Sequence, residues 1–277
     1  MRDRELSSRL KYLKGAVIGL GALAFTGARV VPTQDGMSAG SGVIANFTTP
    51  RAANPDSGDD KTVATVVAVA THHAIAALAD AVRPLSSPQA LEDAFRSYFA
   101  FKTAHPDEVR KPYLYFVDYG LPSTARRGYV FDMSSLKILE GPFTVAHGRG
   151  SSTSRYGVPT RFSNDVGSAA SSLGLYLTAN AYQFLGRSAG RVYHSIGLRL
   201  VGVSGDYNDN AYSRRVVAHG APYVTPTKAG RSEGCPAMEV SRAKRLIPKL
   251  AGGGMVFLFA PDSDWMAGDP WLAATAE

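Results

Sequence analysis

Between residues 112 and 261 the apolar residues come in short runs, separated by Gly, Pro, Asn, Asp and Ser. Short alternating or apolar runs bounded by turn residues are typical of β-strands, whereas an amphipathic helix needs a longer pattern with a 3.6-residue period. The strands predicted in this way are residues 113–117, 128–133, 143–146, 173–178, 196–203, 215–219 and 255–260. The pattern therefore predicts a mainly β, mostly antiparallel body, in which one late helix at residues 242–250, with Ser241 as its cap, precedes the last strand.

Two helices are predicted ahead of this body. Residues 62–82 are rich in alanine with apolar residues at helical spacing, and residues 88–102 place Leu91, Phe95 and Phe99 on one helical face. The expected organisation starts with an export signal (or N-terminal anchor) at residues 1–28, a flexible tether at 29–61 and a helical segment at 62–111. The β-rich domain follows at residues 112–261, and a C-terminal tail at 262–277. The overall fold class is α+β, with the sheet dominant.

The N-terminus is predicted to be an export signal. Its first 14 residues carry a net charge of +3, and a short apolar run at residues 15–25 is followed by small residues. These are the parts of a secretory leader, which is cleaved, although the same segment is also long enough for an uncleaved anchor. The expected location is the bacterial periplasm or cell envelope, with peripheral or no membrane contact after cleavage.

Composition excludes several classes of protein. Hydrophobic residues make up 45% of the 277 positions and charged residues 19%, which excludes a disordered chain. The absence of an uninterrupted apolar run of about 18 residues excludes a multi-span membrane protein. The net charge of +7 favours polyanionic surroundings without choosing among them, and no nucleic-acid recognition motif is present. Oligomeric state is not predicted.

The chain contains a single cysteine, Cys235, so neither an internal disulfide nor a multi-cysteine metal site can form. His219 precedes Cys235 by 16 residues, a loop long enough to bring both side chains to one rim of a sheet. A thiol nucleophile needs an imidazole that takes its proton. The backbone amides of Gly234 and Cys235 offer an oxyanion hole, because glycine permits the tight turn that this requires.

The segment His219-Gly220 … Ser232-x-Gly234-Cys235 resembles the signature of the L,D-transpeptidases. Further motifs resemble their murein (YkuD-like) branch in the same order along about residues 112–261. These are His147-Gly148-Arg149-Gly150-Ser151, Phe162-Ser163-Asn164, Ser171-Ser172-Leu173-Gly174-Leu175-Tyr176, Asn208-Asp209-Asn210-Ala211 and Gly234-Cys235-Pro236.

The resemblance implies a β-sandwich-like catalytic domain that transfers acyl groups on peptidoglycan stem peptides. Cys235 would attack the carbonyl of the third stem residue, a diamino acid, and expel the terminal D-Ala. His219 would serve as base and then acid, oriented by the main-chain carbonyl of Gly220, while the amides of Gly234 and Cys235 would hold the oxyanion. An amine of a second stem would resolve the thioester into a 3→3 cross-link. Water would instead give L,D-carboxypeptidase activity, and a lipoprotein amine or a D-amino acid is a further possible acceptor.

The residue that grips the substrate carboxylate is not assigned by the motif, since Ala237 stands where many members of the family have Arg or Asn. Arg231 and Arg214 are candidates because a guanidinium binds a carboxylate bidentately. Ser232 is expected to hold the turn or to lie near the substrate, and Tyr176 is expected at the substrate site.

No cofactor or metal is expected. A zinc site built from His147, His194, His219 and a nearby aspartate is the alternative, but the short ligand spacing typical of such sites is lacking. The non-enzymatic alternative is a domain that binds the cell wall and no longer catalyses a reaction.

Overall fold

An eight-stranded sheet organises the described part of the chain, which in this computed structural model is residues 58–273. The predicted export signal, and the predicted tether as far as residue 57, lie outside the described residues. The described helices are α1 (Gly58–Leu78), α2 (Gln89–Ala104), α3 (Val240–Leu250), α4 (Ser263–Gly268) and α5 (Pro270–Ala273). The described strands are β1 (Tyr113–Asp118), β2 (Gly128–Asp132), β3 (Lys137–Phe143), β4 (His147–Gly148), β5 (Gly174–Ser188), β6 (Arg191–Gly202), β7 (Val217–Gly220), β8 (Val224–Thr225), β9 (Lys228–Ala229), β10 (Arg231–Ser232), β11 (Ala237–Met238) and β12 (Met255–Phe259).

The main sheet has the strand order β11-β7-β6-β5-β12-β1-β2-β3. Most neighbours are antiparallel, as predicted, but β12 runs parallel to β1 and β11 runs parallel to β7. Parallel neighbours depend on long connections outside the sheet, which a local alternating pattern does not encode. The predicted α+β class, with a helical pair ahead of a dominant sheet, is confirmed.

Two local predictions were wrong. A strand was expected at residues 143–146, but β3 ends at Phe143, and Ala146 makes only a single bridge to Ala237. Ser241 is not the cap of the late helix, because α3 begins at Val240 and the cap position is Glu239.

Helix α2 packs against the sheet and shares its core. The rings of Phe95 and Phe131 meet edge to face with their centroids 5.2 Å apart, and Phe101 makes a similar contact with Trp271 of α5. Trp265 of α4 is buried against Phe257 and Phe259 of β12. The segment predicted as a C-terminal tail thus contributes two tryptophans to the core.

Helix α1 is apolar around most of its circumference. Val63, Val66 and Val69 are each about half exposed, whereas Ala74 and Leu78 are buried in the core. By length and composition, the stretch 61–81 is the one helix among the described residues that is able to cross a bilayer. Its first turn lies within the predicted tether, since α1 begins at Gly58.

The β5–β6 hairpin is much longer than predicted and forms an arm beyond the core. Ser188 pairs with Arg191 across a two-residue turn in which Ala189 and Gly190 both have positive φ, 49° and 77°. Turns of this kind match the twist of the flanking strands. Beyond Thr178 an irregularity in the register separates the arm from the buried part of β5, and there the side chains become partly exposed.

Candidate active site

Cys235 lies in the turn between β10 and β11, beside the end of β7. In the parallel pairing of β11 with β7, Ala237 is the partner of His219. Cys235, two residues earlier, lies beside Val217, whose backbone N–H lowers the pKa of the thiol. The sulfur is 4.0 Å from the carbonyl oxygen of Arg215, and the side chain is partly exposed. The register therefore brings the thiol and His219 to one end of the same strand pair.

Gly234 has a conformation that other residues rarely adopt. Its φ is +121°, and an added Cβ would lie 2.7 Å from the carbonyl oxygen of Ala170. The Ser232 hydroxyl closes the turn, because it accepts from the N–H of Gly234 at 3.2 Å and donates to the carbonyl of Cys235 at 2.7 Å.

This bonding alters the expected oxyanion hole. The N–H of Gly234 is already bonded to Ser232, whereas no group in the described part of the chain accepts from the N–H of Cys235. The hole as it stands offers one unengaged amide, and the second becomes available only if the bond to Ser232 is exchanged for a substrate oxygen.

The imidazole of His219 is held in one orientation and is neutral. Its Nδ1 lies 3.1 Å from the carbonyl oxygen of Gly220. A carbonyl only accepts, so Nδ1 carries the proton and Nε2 keeps its lone pair. Burial lowers the pKa of His219 to about 4, and the side chain is 2% exposed. The ring is therefore able to accept a proton at neutral pH.

The thiol of Cys235 is also neutral at rest. Burial raises its pKa above the ordinary value, an effect opposed by the Val217 N–H and by Arg214. Resting thiol and imidazole are thus both uncharged, and Nε2 has a lone pair that is able to accept a proton.

Arg214 holds residues 163–172, a segment that contacts the turn containing Cys235. Its guanidinium donates to the carbonyls of Ser163 and Ala170, each at 2.8 Å, and to the hydroxyls of Ser168 and Ser172. The Ser171 hydroxyl then donates to the carbonyl of Gly234 at 3.1 Å. Because most N–H groups of Arg214 are engaged within the protein, the carboxylate-gripping role expected for it does not fit this arrangement.

Arg231 and His147 lie side by side behind the turn, because β10 pairs with β4. Arg231 donates to the carbonyl of Ser152 at 3.0 Å. His147 is fully buried and its Nδ1 lies 2.9 Å from the guanidinium of Arg127. Burial, together with Arg127 and Arg231, lowers the pKa of His147 to about 3, so this histidine is a neutral part of the scaffold.

The structure places Tyr176, which was expected at the substrate site, in the core of the sheet. The side chain is completely buried, and its hydroxyl lies 2.8 Å from the Ser172 hydroxyl and donates to the Ser172 carbonyl at 2.9 Å. A residue of β5 that is buried in the sheet core cannot contact a peptide in the cleft.

The hairpin arm contributes aromatic residues that the sequence analysis missed. Phe184 stacks on His219 with ring centroids 4.3 Å apart and meets Tyr182 edge to face. The hydroxyls of Tyr182, Tyr193 and Tyr223 all lie within electrostatic reach of Cys235. The i, i+2 spacing of Tyr182 and Phe184 was the available signal, since it places both rings on one face of a strand.

A metal centre finds no support in the described residues, where no group of three or more His, Cys, Asp or Glu side chains is placed to hold an ion.

A family model described as the L,D-transpeptidase catalytic domain matches residues 83–259, more than half of the chain. The chain belongs to this family. The matched residues contain the L,D-transpeptidase motifs around His219 and Cys235, and they begin at the N-terminal side of α2. No curated protein matches the chain.

Solved L,D-transpeptidases are similar to parts of the chain. One from Stackebrandtia nassauensis is 16% identical with a TM-score of 0.34, over 62% of this chain and 67% of that one. One from Mycobacterium smegmatis is 13% identical with a TM-score of 0.33, over 54% and 59%. A third, solved in complex with imipenem, is 12% identical with a TM-score of 0.35, over 53% and 59%. This L,D-transpeptidase-family chain thus spans about three fifths of the length of the last two.

Proposed function

We propose that this protein is a cysteine acyltransferase that forms 3→3 cross-links between peptidoglycan stem peptides through a Cys235 thioester. The observation that carries the proposal is the pairing of Ala237 with His219, which brings Cys235 beside the strand that holds the imidazole. The Nδ1–Gly220 bond adds to it, because it leaves Nε2 as the proton acceptor.

In the first half of the reaction, the Cys235 thiol passes its proton to Nε2 of His219 and the sulfur attacks the carbonyl carbon of the third stem residue. A C–S bond forms, and the oxyanion is held by the N–H of Cys235 and by the N–H of Gly234 once Ser232 releases it. The C–N bond to the terminal D-Ala breaks, and the imidazolium protonates the departing amine.

In the second half, an amine of another stem attacks the thioester carbonyl. A C–N bond forms, the C–S bond breaks, and the amine's proton travels through His219 back to the sulfur. Water in place of the amine yields a tripeptide, the product of an L,D-carboxypeptidase. Because peptidoglycan lies outside the cytoplasmic membrane, the proposal includes export directed by residues 1–28.

The test is the mass of the product after incubation of the purified protein with a disaccharide tetrapeptide. A cross-linked dimer with loss of D-Ala supports the transferase, a tripeptide supports the hydrolase, and unchanged substrate overturns both in favour of a wall-binding domain. Cys235→Ala should remove all turnover. Because Cys235 is the sole cysteine, stoichiometric alkylation by iodoacetamide provides a matched control without a substitution, and it should abolish turnover equally.

Acylation by a carbapenem tests the first half of the reaction alone. Imipenem is bound by one of the solved relatives, and a β-lactam carbonyl would react with the sulfur in the same way as the stem peptide. We expect one equivalent of mass gain on Cys235 and a rate that falls strongly in His219→Ala. A normal rate in that variant would remove His219 from the mechanism.

A further inference from the structure

The side chain of Arg199 projects to the same face of the sheet as that of His219, the proposed catalytic histidine. In the antiparallel pairing of β6 with β7, Gly197 is opposite His219 and Arg199 is opposite Val217. Directly opposed residues of antiparallel strands project to one face, and so do residues two apart along a strand. The backbone N–H of Val217 also lowers the pKa of the Cys235 thiol. The side chain of Arg199 therefore leaves the backbone close to His219 and Cys235.

The guanidinium of Arg199 is held by two tyrosine rings. Its central carbon lies 4.7 Å from the ring centroid of Tyr182 and 5.9 Å from that of Tyr212. The Tyr182 ring lies close to the strand because position 197 is a glycine, where an added Cβ would come within 2.9 Å of the ring. Stacking uses the faces of the guanidinium and leaves the N–H groups at its edge available.

Two other arginines near the cleft, Arg149 and Arg214, are already paired. Arg149 binds both carboxylate oxygens of Glu233, at 2.8 and 2.9 Å, and Arg214 is bonded to the segment behind the turn. For Arg199, by contrast, no carboxylate or carbonyl within residues 58–273 accepts a hydrogen bond from the guanidinium. A half-buried arginine that is oriented by aromatic rings and lacks an acidic partner is suited to an external anion.

Arg199 and Arg215 make the electrostatic potential around Tyr182 positive. Burial raises the pKa of Tyr182, and this rise is opposed by Arg199 and by Arg215. Both guanidinium groups thus act on the Tyr182 hydroxyl. Arg215 is exposed, and its carbonyl contacts the sulfur at 4.0 Å.

We propose that Arg199, held between Tyr182 and Tyr212, binds a carboxylate of the peptide whose reacting carbonyl lies at Cys235. This inference rests on the proposed function for the identity of the substrate and adds to it the residue that orients the peptide. Two carboxylates have the required chemistry, that of the terminal D-Ala and one carried by the diamino acid itself.

The first test needs no peptide. Iodoacetate and iodoacetamide alkylate the same single thiol and differ in that only the former carries a carboxylate. In Arg199→Gln the ratio of the iodoacetate rate to the iodoacetamide rate should fall by about threefold or more, the size of one partly screened charge pair, and the effect should shrink at high salt. The iodoacetamide rate should stay unchanged, which shows that the thiol and His219 are intact. An unchanged ratio overturns the proposal.

Arg187→Gln is the matched control, because it removes the same charge from an exposed position on the same hairpin. The ratio should not change there. Arg199→Lys, which keeps the charge but not the planar fork, should retain part of the ratio. An equal loss in Arg187→Gln would show that only the net charge of the arm matters, and would also overturn the proposal.

The second test uses tetrapeptide substrates. Arg199→Gln should raise KM by about tenfold or more, with a smaller change in kcat, as expected for the loss of a hydrogen-bonded charge. A substrate amidated at D-Ala, or at the diamino acid, should cancel the difference between wild type and variant for whichever carboxylate Arg199 binds. A difference that persists with both amides overturns the assignment. If no stem peptide reacts at all, the proposed function fails, while the alkylation ratio still decides the carboxylate site.

Discussion

The rings of Phe184 and His219 stack with their centroids 4.3 Å apart and their planes 23° from parallel. The stack joins the hairpin arm to the end of β7, and it covers one face of the imidazole whose Nδ1 is fixed by Gly220. Since burial is the main cause of the low pKa of His219, Phe184 is placed to keep this base uncharged.

Replacing Phe184 with alanine should therefore raise the pKa of His219 from about 4 towards the ordinary value of 6.5. Near pH 6 the imidazole would be partly protonated, and carbapenem acylation should slow at pH 6 relative to pH 8 more than in the wild type. NMR titration of labelled histidine measures the pKa directly. Phe184→Leu, which keeps an apolar cover, should shift it less. An unmoved pKa in Phe184→Ala would show that the stack does not exclude water.

Two buried neutral histidines should make the fold sensitive to acid. The pKa values of His219 and His147 are lowered to about 4 and about 3. Below pH 6.5 these histidines therefore bind protons in the unfolded chain but stay neutral in the native state. Stability should then fall as pH drops from about 6.5 to 4, by up to about 1.4 kcal/mol per pH unit for each histidine. Asp93, whose pKa burial raises to about 6, acts in the opposite direction over part of this range.

A comparison of variants removes the contribution of Asp93, because every variant and the wild type contain this residue. In urea unfolding at pH 7.5, 6 and 5, His219→Gln should lose stability less steeply than the wild type. His73→Gln, which changes an exposed histidine of α1, should follow the wild type. Parallel curves for wild type and His219→Gln would contradict the prediction.

The Cys235 thiol should behave as an uncharged group at neutral pH. Burial raises its pKa, so the rate of alkylation by iodoacetamide should keep rising from pH 7 to above pH 9. A thiolate–imidazolium pair would instead give a plateau near neutrality. Intact mass measurements follow the reaction, since the protein has a single cysteine. A plateau below pH 7 would contradict the neutral resting pair.

Gly234→Ala should abolish acyl transfer. The φ of +121° and the 2.7 Å approach of the Ala170 carbonyl leave no room for a Cβ, so the turn that presents Cys235 has to move. Gly252→Ala is the matched control, because its φ is also positive, +81°, but open space surrounds the position. Both variants should lose about 1 kcal/mol or more of stability, measured by thermal unfolding. Only Gly234→Ala should lose imipenem acylation.

Tyr176→Phe should leave KM for the tetrapeptide unchanged, because the hydroxyl is buried in the core, where it bonds to Ser172. The lost hydrogen bond should cost about 1 kcal/mol of unfolding free energy. Steady-state kinetics with urea unfolding checks both parts. A raised KM at unchanged stability would restore the substrate-binding role.

Six of the eight strands of the main sheet, the helical pair and the family were predictable from local patterns. Alternation, turn residues and motif spacing are properties of neighbouring residues, and they persist whatever the strands pair with. The single thiol and the histidine 16 positions before it could be chosen as candidates for the same reason, since the chemistry requires those two residue types.

For Phe184 the sequence offered only its i, i+2 spacing from Tyr182, and it offered no signal for the role of Arg199 or for the hydrogen bonds that engage Arg214. Side chains of a strand alternate between faces, so which ones meet His219 depends on the register of β5, β6 and β7, and a shift of one residue would turn each to the other face. That register depends on the turn at Ala189–Gly190, on the irregularity after Thr178 and on a strand pairing between residues far apart in the chain. The sequence therefore determined which residues carry reactive groups, such as the thiol of Cys235 and the imidazole of His219. The neighbours that set the protonation state and the partners of these groups come together only when the sheet forms.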